Sequence, residues 1–127
     1  FNKLLNSDYY KNNPGYDCSE IATDFYDTAG QQGKIYRIEG KDGVINGYEY
    51  GKVYDFEYHE VYSDGVYIYD PRYQNTPVLK DDYFRALKEI NPDGFDVFTI
   101  QWEDLWKKIK WASCRLTNSL SQCPCRS

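Results

Sequence analysis

The sequence predicts an α+β fold in which helices cover one face of a mostly antiparallel sheet. Three observations predict it: an amphipathic helical pattern comes first, short β-rich runs broken by glycines follow, and two more helical patterns flank a last β-rich run. The 127 residues, 41% of them apolar, are the size and composition of one globular domain. We expect this domain over residues 1–116 and a polar tail over residues 117–127.

The first helix is predicted over residues 17–29. Asp17 and Glu20 have the spacing of a capping box, in which each side chain binds the backbone N–H of the other residue. Gly30 is a natural C-terminal stop. An apolar stripe at helical intervals runs between them: Cys18, Ile21, Ala22, Phe25 and Ala29. Cys18 is therefore expected in the first turn of the helix, on the side that faces the core.

An antiparallel meander of about four strands is predicted after Gly33, because β-branched and aromatic residues cluster in short runs there. The runs cover residues 35–38, 44–45, 53–62 and 66–69. After these strands, the sequence predicts a helix over residues 81–90, a strand over 95–100 and an amphipathic helix over 102–112.

The predicted hairpin around Asp64 and Gly65 brings two functional side chains together. This dipeptide favours a two-residue turn, since both turn positions need positive φ. Counting outward from the turn, His59 lies directly opposite Asp70, and His59 is the only histidine of the chain. We expect the two side chains on the sheet face that meets the helices, where the carboxylate fixes the tautomer of the imidazole.

Cys18 is the predicted nucleophile for this base. In the first turn of a helix, the backbone N–H groups and the helix dipole favour a thiolate. The predicted chemistry is attack of Cys18 on an amide carbonyl, with proton exchange by His59 and orientation of His59 by Asp70.

The same helix start offers hydrogen-bond donors for an oxyanion. The backbone N–H groups of Cys18 and Ser19 are the first candidates. The side-chain amide of Asn12 or Asn13, just upstream, is the candidate for a second donor.

These residues resemble the papain-like superfamily in its compact bacterial form. A Cys at the start of a helix, a His at the start of a later strand and an Asp on the next strand follow the order seen in papain-fold toxin domains. Those domains stand at the C-termini of large bacterial polymorphic and contact-dependent toxins. The matching segments are residues 17–22, 58–61 and 69–71. The oxyanion Gln of that family has no equivalent close before Cys18.

The resemblance implies a papain-like fold and a thiol enzyme acting on an amide, as a peptidase, a deamidase or a transglutaminase-like enzyme. It also implies delivery as part of a larger secreted toxin, a protein substrate in the cytoplasm of the target cell, and neutralisation by a dedicated immunity protein. A chain that begins with Phe1 instead of Met is expected to be a fragment of such a toxin. No cofactor and no metal are expected, since one histidine and the spacing of Cys123 and Cys125 do not suit a zinc site.

Charge disfavours nucleic acid as a partner. Residues 1–101 hold 10 Lys and Arg against 18 Asp and Glu, and affinity for nucleic acid comes mainly from Lys and Arg. A toxin domain that keeps this scaffold but acts on nucleic acid is therefore the weakest alternative. The apolar runs are too short for a transmembrane helix, which needs about 20 such residues.

The four cysteines leave two interpretations open. Reduced thiols in a cytosolic setting are favoured, because no cysteine lies between Cys18 and Cys114. Two disulfides, with three pairings to choose from, are the alternative. In that case the 14 tyrosines of the chain indicate a secreted, disulfide-bridged, tyrosine-rich binding module without catalysis.

Overall fold

A computed structural model describes residues 1–100 of the chain. Its elements in chain order are α1 (Asn2–Leu5), α2 (Asp8–Asn12), α3 (Cys18–Thr28), β1 (Lys34–Gly40), β2 (Ile45–Glu49), β3 (Lys52–Phe56), β4 (His59–Ser63), β5 (Tyr67–Tyr69), β6 (Val78–Leu79), α4 (Lys80–Glu89) and β7 (Phe95–Thr99). The α+β class is confirmed. The predicted helix over residues 102–112 and the tail over 117–127 lie outside the described residues.

A five-stranded antiparallel sheet forms the centre of the fold, in the order β6-β5-β4-β1-β7. Within the described part of the chain, the second and third strands leave this sheet and pair with each other. The predicted single meander is therefore wrong at this point. Gly40 accounts for part of the departure: an added Cβ there would clash with the Val44 carbonyl oxygen, so the missing side chain lets the chain fold back closely after β1.

Helices cover both faces of the sheet, whereas the sequence predicted one covered face. Phe25 of α3 stacks on Tyr62 of β4, with ring centroids 6.3 Å apart. Leu87 of α4 belongs to a different buried cluster, which includes Val61 of β4. Tyr62 and Val61 are adjacent on one strand and point to opposite faces. All five residues of β4 are buried for this reason.

The predicted capping box begins α3. The Asp17 carboxylate accepts the backbone N–H of Glu20 at 3.0 Å, and the Glu20 carboxylate accepts the N–H of Asp17 at 3.4 Å. The helix ends at Thr28, before Gly30 with φ +67°. Its observed bounds lie within one residue of the prediction, because the local capping signals at both ends are strong.

The register of the β4–β5 hairpin differs from the prediction by two residues. Tyr62 lies opposite Tyr69, not opposite Tyr67 as a two-residue turn requires. Since side chains alternate with a period of two, a shift of two residues keeps every side chain on its predicted face. His59 and Asp70 consequently stay on one face, as diagonal neighbours instead of a directly opposed pair.

The Asp64 carboxylate stabilises the wider turn. It accepts the backbone N–H groups of Val66 and Tyr67 at 2.9 and 2.8 Å, and the Tyr69 hydroxyl at 2.7 Å. Partial burial acts to raise the pKa of Asp64, but these hydrogen bonds to the charged form outweigh it and lower the pKa below 3.8.

We expect Asp64→Asn to lower the free energy of unfolding at neutral pH by about 0.5–1 kcal/mol, because the turn loses a charged acceptor whose interactions solvent screens at this exposed position. The folded pKa of Asp64 lies below the unfolded value, so its stabilisation is present above the unfolded pKa and is lost as pH falls through the folded pKa. Urea unfolding of both proteins should show a difference that shrinks as the pH falls below 3.8. A constant difference over that range would contradict the assignment.

Candidate active site

His59 and Asp70 form a buried hydrogen-bonded pair. Nε2 of His59 lies 3.0 Å from Oδ2 of Asp70, and the two side chains are 5% and 6% exposed. His59 is the first residue of β4, and Asp70 directly follows the last residue of β5. A carboxylate oxygen can only accept, so neutral His59 carries its proton on Nε2.

The other ring nitrogen of His59 has no hydrogen-bond partner among residues 1–100. This Nδ1 is buried, and the ring packs against Phe56 with centroids 5.5 Å apart. Buried polar atoms without partners are rare, and each costs about 1–3 kcal/mol. With the proton on Nε2, Nδ1 carries the lone pair and is the nitrogen that can act as a base.

Three donors converge on the Asp70 carboxylate. Besides His59, the Tyr83 hydroxyl donates to Oδ2 at 2.9 Å and the Arg72 backbone N–H donates to Oδ1 at 3.3 Å. Burial, together with the nearby negative charge of Asp70, raises the pKa of Tyr83 well above 10. Tyr83 therefore remains a hydrogen-bond donor to Asp70 at neutral pH.

Cys18 is the first residue of α3, as predicted, and it is 5% exposed and packed against Tyr58. Its sulfur is part of a disulfide. This corrects the expectation of reduced thiols for Cys18. The other cysteines of the chain, Cys114, Cys123 and Cys125, lie outside the described residues.

Cys18, His59 and Asp70 line the same small cavity, which has room for about one water molecule. It forms where the β4–β5 ladder stops: the two strands are paired at only two positions, Tyr62–Tyr69 and Ser63–Ile68. Beyond these two pairs, the residues that flank the ladder line the cavity on one side, and the first residues of α3 line it on another. The remaining lining residues are Ile21, Ala22, Glu49, Glu60, Val61, Tyr69 and Arg72.

Alternation along β4 puts His59 and Cys18 on different sides of that strand. Cys18 packs against Tyr58, the residue just before β4, and α3, the helix that Cys18 begins, packs on the face of β4 that carries Tyr62. His59 shares its face with Val61, in the cluster that contains α4. We predicted that Cys18 and His59 would meet on one sheet face. In the structure the two residues instead line one cavity at the end of the β4–β5 ladder.

Among the oxyanion candidates, Ser19 and Asn13 are placed differently. Ser19 is buried beside Tyr58, next to Cys18. Asn13 is exposed, and its side-chain amide donates to the Tyr9 carbonyl at 2.8 Å. Neither Ser19 nor Asn13 lines the cavity, so its geometry gives no support to Asn13 as an oxyanion donor.

Sequence reasoning missed two buried residues of this site. Arg72 donates to the Tyr10 and Asn13 carbonyls at 3.1 and 3.2 Å and lies 3.5 Å from a Glu49 carboxylate oxygen, so it joins the end of α2 to the cavity wall. Tyr83 lies in the helix predicted over residues 81–90, but no role in the site was predicted for it. The hydroxyl of Tyr83 could have indicated its role, because a buried Tyr hydroxyl usually has a hydrogen-bond partner.

Comparison with known proteins found no matching family model, no matching curated protein and no matching solved structure. Within residues 1–100, none of the helices is both long and apolar enough to cross a membrane. The same part of the chain holds no group of three or more His, Cys, Asp or Glu arranged to bind a metal ion.

Proposed function

We propose that the protein is a thiol enzyme that processes amides, with reduced Cys18 as the nucleophile, His59 as the base and Asp70 as the residue that orients His59. One observation carries the proposal. His59 places Nε2 on Asp70 and leaves the buried Nδ1 without a partner in the described part of the chain, and His59 and Cys18 both line one cavity.

The proposed reaction begins with reduction of the Cys18 disulfide. A dithiol reductant supplies two electrons and two protons, becomes a disulfide itself and leaves two protein thiols. Nδ1 of His59 then takes the Cys18 proton, the thiolate attacks the amide carbonyl carbon, and the imidazolium gives the proton to the leaving nitrogen. Water attacks the resulting thioester to release an acid and restore the thiol. An amine in place of water gives the transglutaminase-like outcome.

Reductive activation suits a toxin effector that is delivered from outside. Disulfides persist in secreted proteins and are reduced in the cytosol. We therefore propose a papain-like toxin domain that is inactive while Cys18 is oxidised, acts on a protein substrate in the target-cell cytoplasm, and is neutralised by an immunity protein. The likeness of the segments around Cys18, His59 and Asp70 to papain-fold toxin domains supports this setting.

Expression in a reducing bacterial cytoplasm without an immunity protein tests the proposal. We expect wild type to arrest growth and Cys18→Ser to allow growth at an equal level of folded protein, because Ser lacks a thiolate at neutral pH. The purified protein should modify a target-cell extract only after dithiothreitol treatment. Growth arrest by Cys18→Ser, or full activity of the oxidised protein, would exclude Cys18 as the nucleophile.

The disulfide also favours a second candidate, the secreted tyrosine-rich binding module without catalysis. Large apolar and aromatic side chains on the β2–β3 hairpin are about half exposed: Tyr50, Val53 and Tyr54. Such residues are common at protein interfaces. In a binding module, losing the Cys18 disulfide would cost about 2–4 kcal/mol of stability, and the wild-type protein would not arrest growth. The expression experiment separates the two candidates.

A further inference from the structure

We infer that Tyr83 is a positioning residue of this site: its hydroxyl fixes the Asp70 carboxylate and, through that carboxylate, the orientation of His59. The inference rests on the proposed function, because orientation of His59 matters for chemistry only if His59 serves Cys18.

The Tyr83 ring is held rigidly between two other aromatic rings. It packs edge-to-face on Tyr73, with centroids 5.3 Å apart, and on Phe84, with centroids 5.7 Å apart. The side chain is 4% exposed. A ring packed on two sides at near-perpendicular angles has little freedom, so its hydroxyl is a fixed point in the site.

Tyr83 and His59 donate to the same carboxylate oxygen, Oδ2 of Asp70, at 2.9 and 3.0 Å. Asp70 lies just beyond the end of β5. Among residues 1–100 its second carboxylate oxygen accepts one longer hydrogen bond, 3.3 Å from the Arg72 backbone N–H. Without the Tyr83 hydroxyl, the carboxylate gains freedom to turn about its Cβ–Cγ bond, and the bond to Nε2 loses its fixed geometry.

The orientation of a catalytic base affects the reaction rate. A displacement of about 1 Å of a reacting group lowers the rate on the order of 100-fold in well-aligned active sites. Loss of one of three donors to Asp70 is a smaller disturbance, because His59 and the Arg72 backbone remain bound. We therefore expect a roughly tenfold effect on reactions that need Nδ1 of His59.

The test compares Tyr83→Phe with Tyr73→Phe. Both variants remove one hydroxyl from the same aromatic cluster, but among residues 1–100 the Tyr73 hydroxyl makes no hydrogen bond to Asp70. After reduction with a phosphine, iodoacetamide labelling of the peptide that carries Cys18 is followed by mass spectrometry. We expect labelling to slow about tenfold in Tyr83→Phe and to match wild type in Tyr73→Phe.

Nitrogen-15 spectra of the single histidine give a readout that ordinary destabilisation does not produce. We expect one neutral tautomer with the proton on Nε2 in wild type and Tyr73→Phe, and a mixture of both tautomers in folded Tyr83→Phe. An unchanged tautomer and unchanged labelling in Tyr83→Phe would overturn the positioning role. A mixed tautomer with wild-type labelling would instead overturn the proposed function, since His59 would then be oriented without serving Cys18.

Discussion

Asp70→Asn is expected to lower the rate of amide processing by Cys18 by roughly 10⁴-fold, the loss known for this change in a hydrolase triad. An amide has one acceptor oxygen. The Arg72 backbone N–H can only donate, and it binds Oδ1 of Asp70, the oxygen opposite the one that Tyr83 and His59 share. When the Arg72 N–H keeps the amide oxygen, the amide NH2 faces Nε2 of His59. The imidazole must then carry its proton on Nδ1, and the nitrogen that served as the base has no lone pair left.

Asp24→Asn is the matched control for this prediction. The Asp24 carboxylate accepts the hydroxyls of Tyr10 and Tyr16 at 2.9 and 2.7 Å, so the control also removes a charged acceptor of tyrosine hydroxyls. It makes no bond to His59. Only Asp70→Asn should move the histidine proton to Nδ1 in nitrogen-15 spectra and slow Cys18 labelling. If Cys18 in folded Asp70→Asn is labelled at the wild-type rate, Asp70 has no role in orienting His59.

The parts of this site that sequence could predict depend on short-range rules. The capping box of Asp17 and Glu20 determines where α3 begins, and hence the place of Cys18. The pairing of His59 with Asp70 depends on strand periodicity, which survived an error of two residues in the register. The register itself depended on side-chain hydrogen bonds of Asp64, which the residue types at the turn do not specify.

The parts that could not be predicted depend on contacts between distant segments. The amphipathic pattern of α4 shows that Tyr83 and Leu87 share a buried face, but not which sheet face they cover. The contact of Tyr83 with Asp70 follows from that choice of face. The disulfide of Cys18 could not be predicted either, because the helical pattern that places Cys18 does not specify whether its thiol is oxidised.

Substitution of His59 separates its role as a base from its role as a donor. His59→Gln keeps an N–H that can reach the buried Asp70 carboxylate but removes the lone pair of Nδ1. We expect the rate of amide processing to fall by about 10²–10⁴-fold, the share that a general base contributes. Cys18 labelling at neutral pH should fall by roughly tenfold, because a free thiol still holds a few per cent thiolate. His59→Leu removes the donor as well, so it should also lower the free energy of unfolding by about 1–3 kcal/mol. Urea unfolding and Cys18 labelling of the two variants distinguish these effects. If Cys18 in His59→Gln is labelled at the wild-type rate and the variant still arrests growth, His59 is only a structural partner of Asp70. The proposed thiol enzyme would then have no general base.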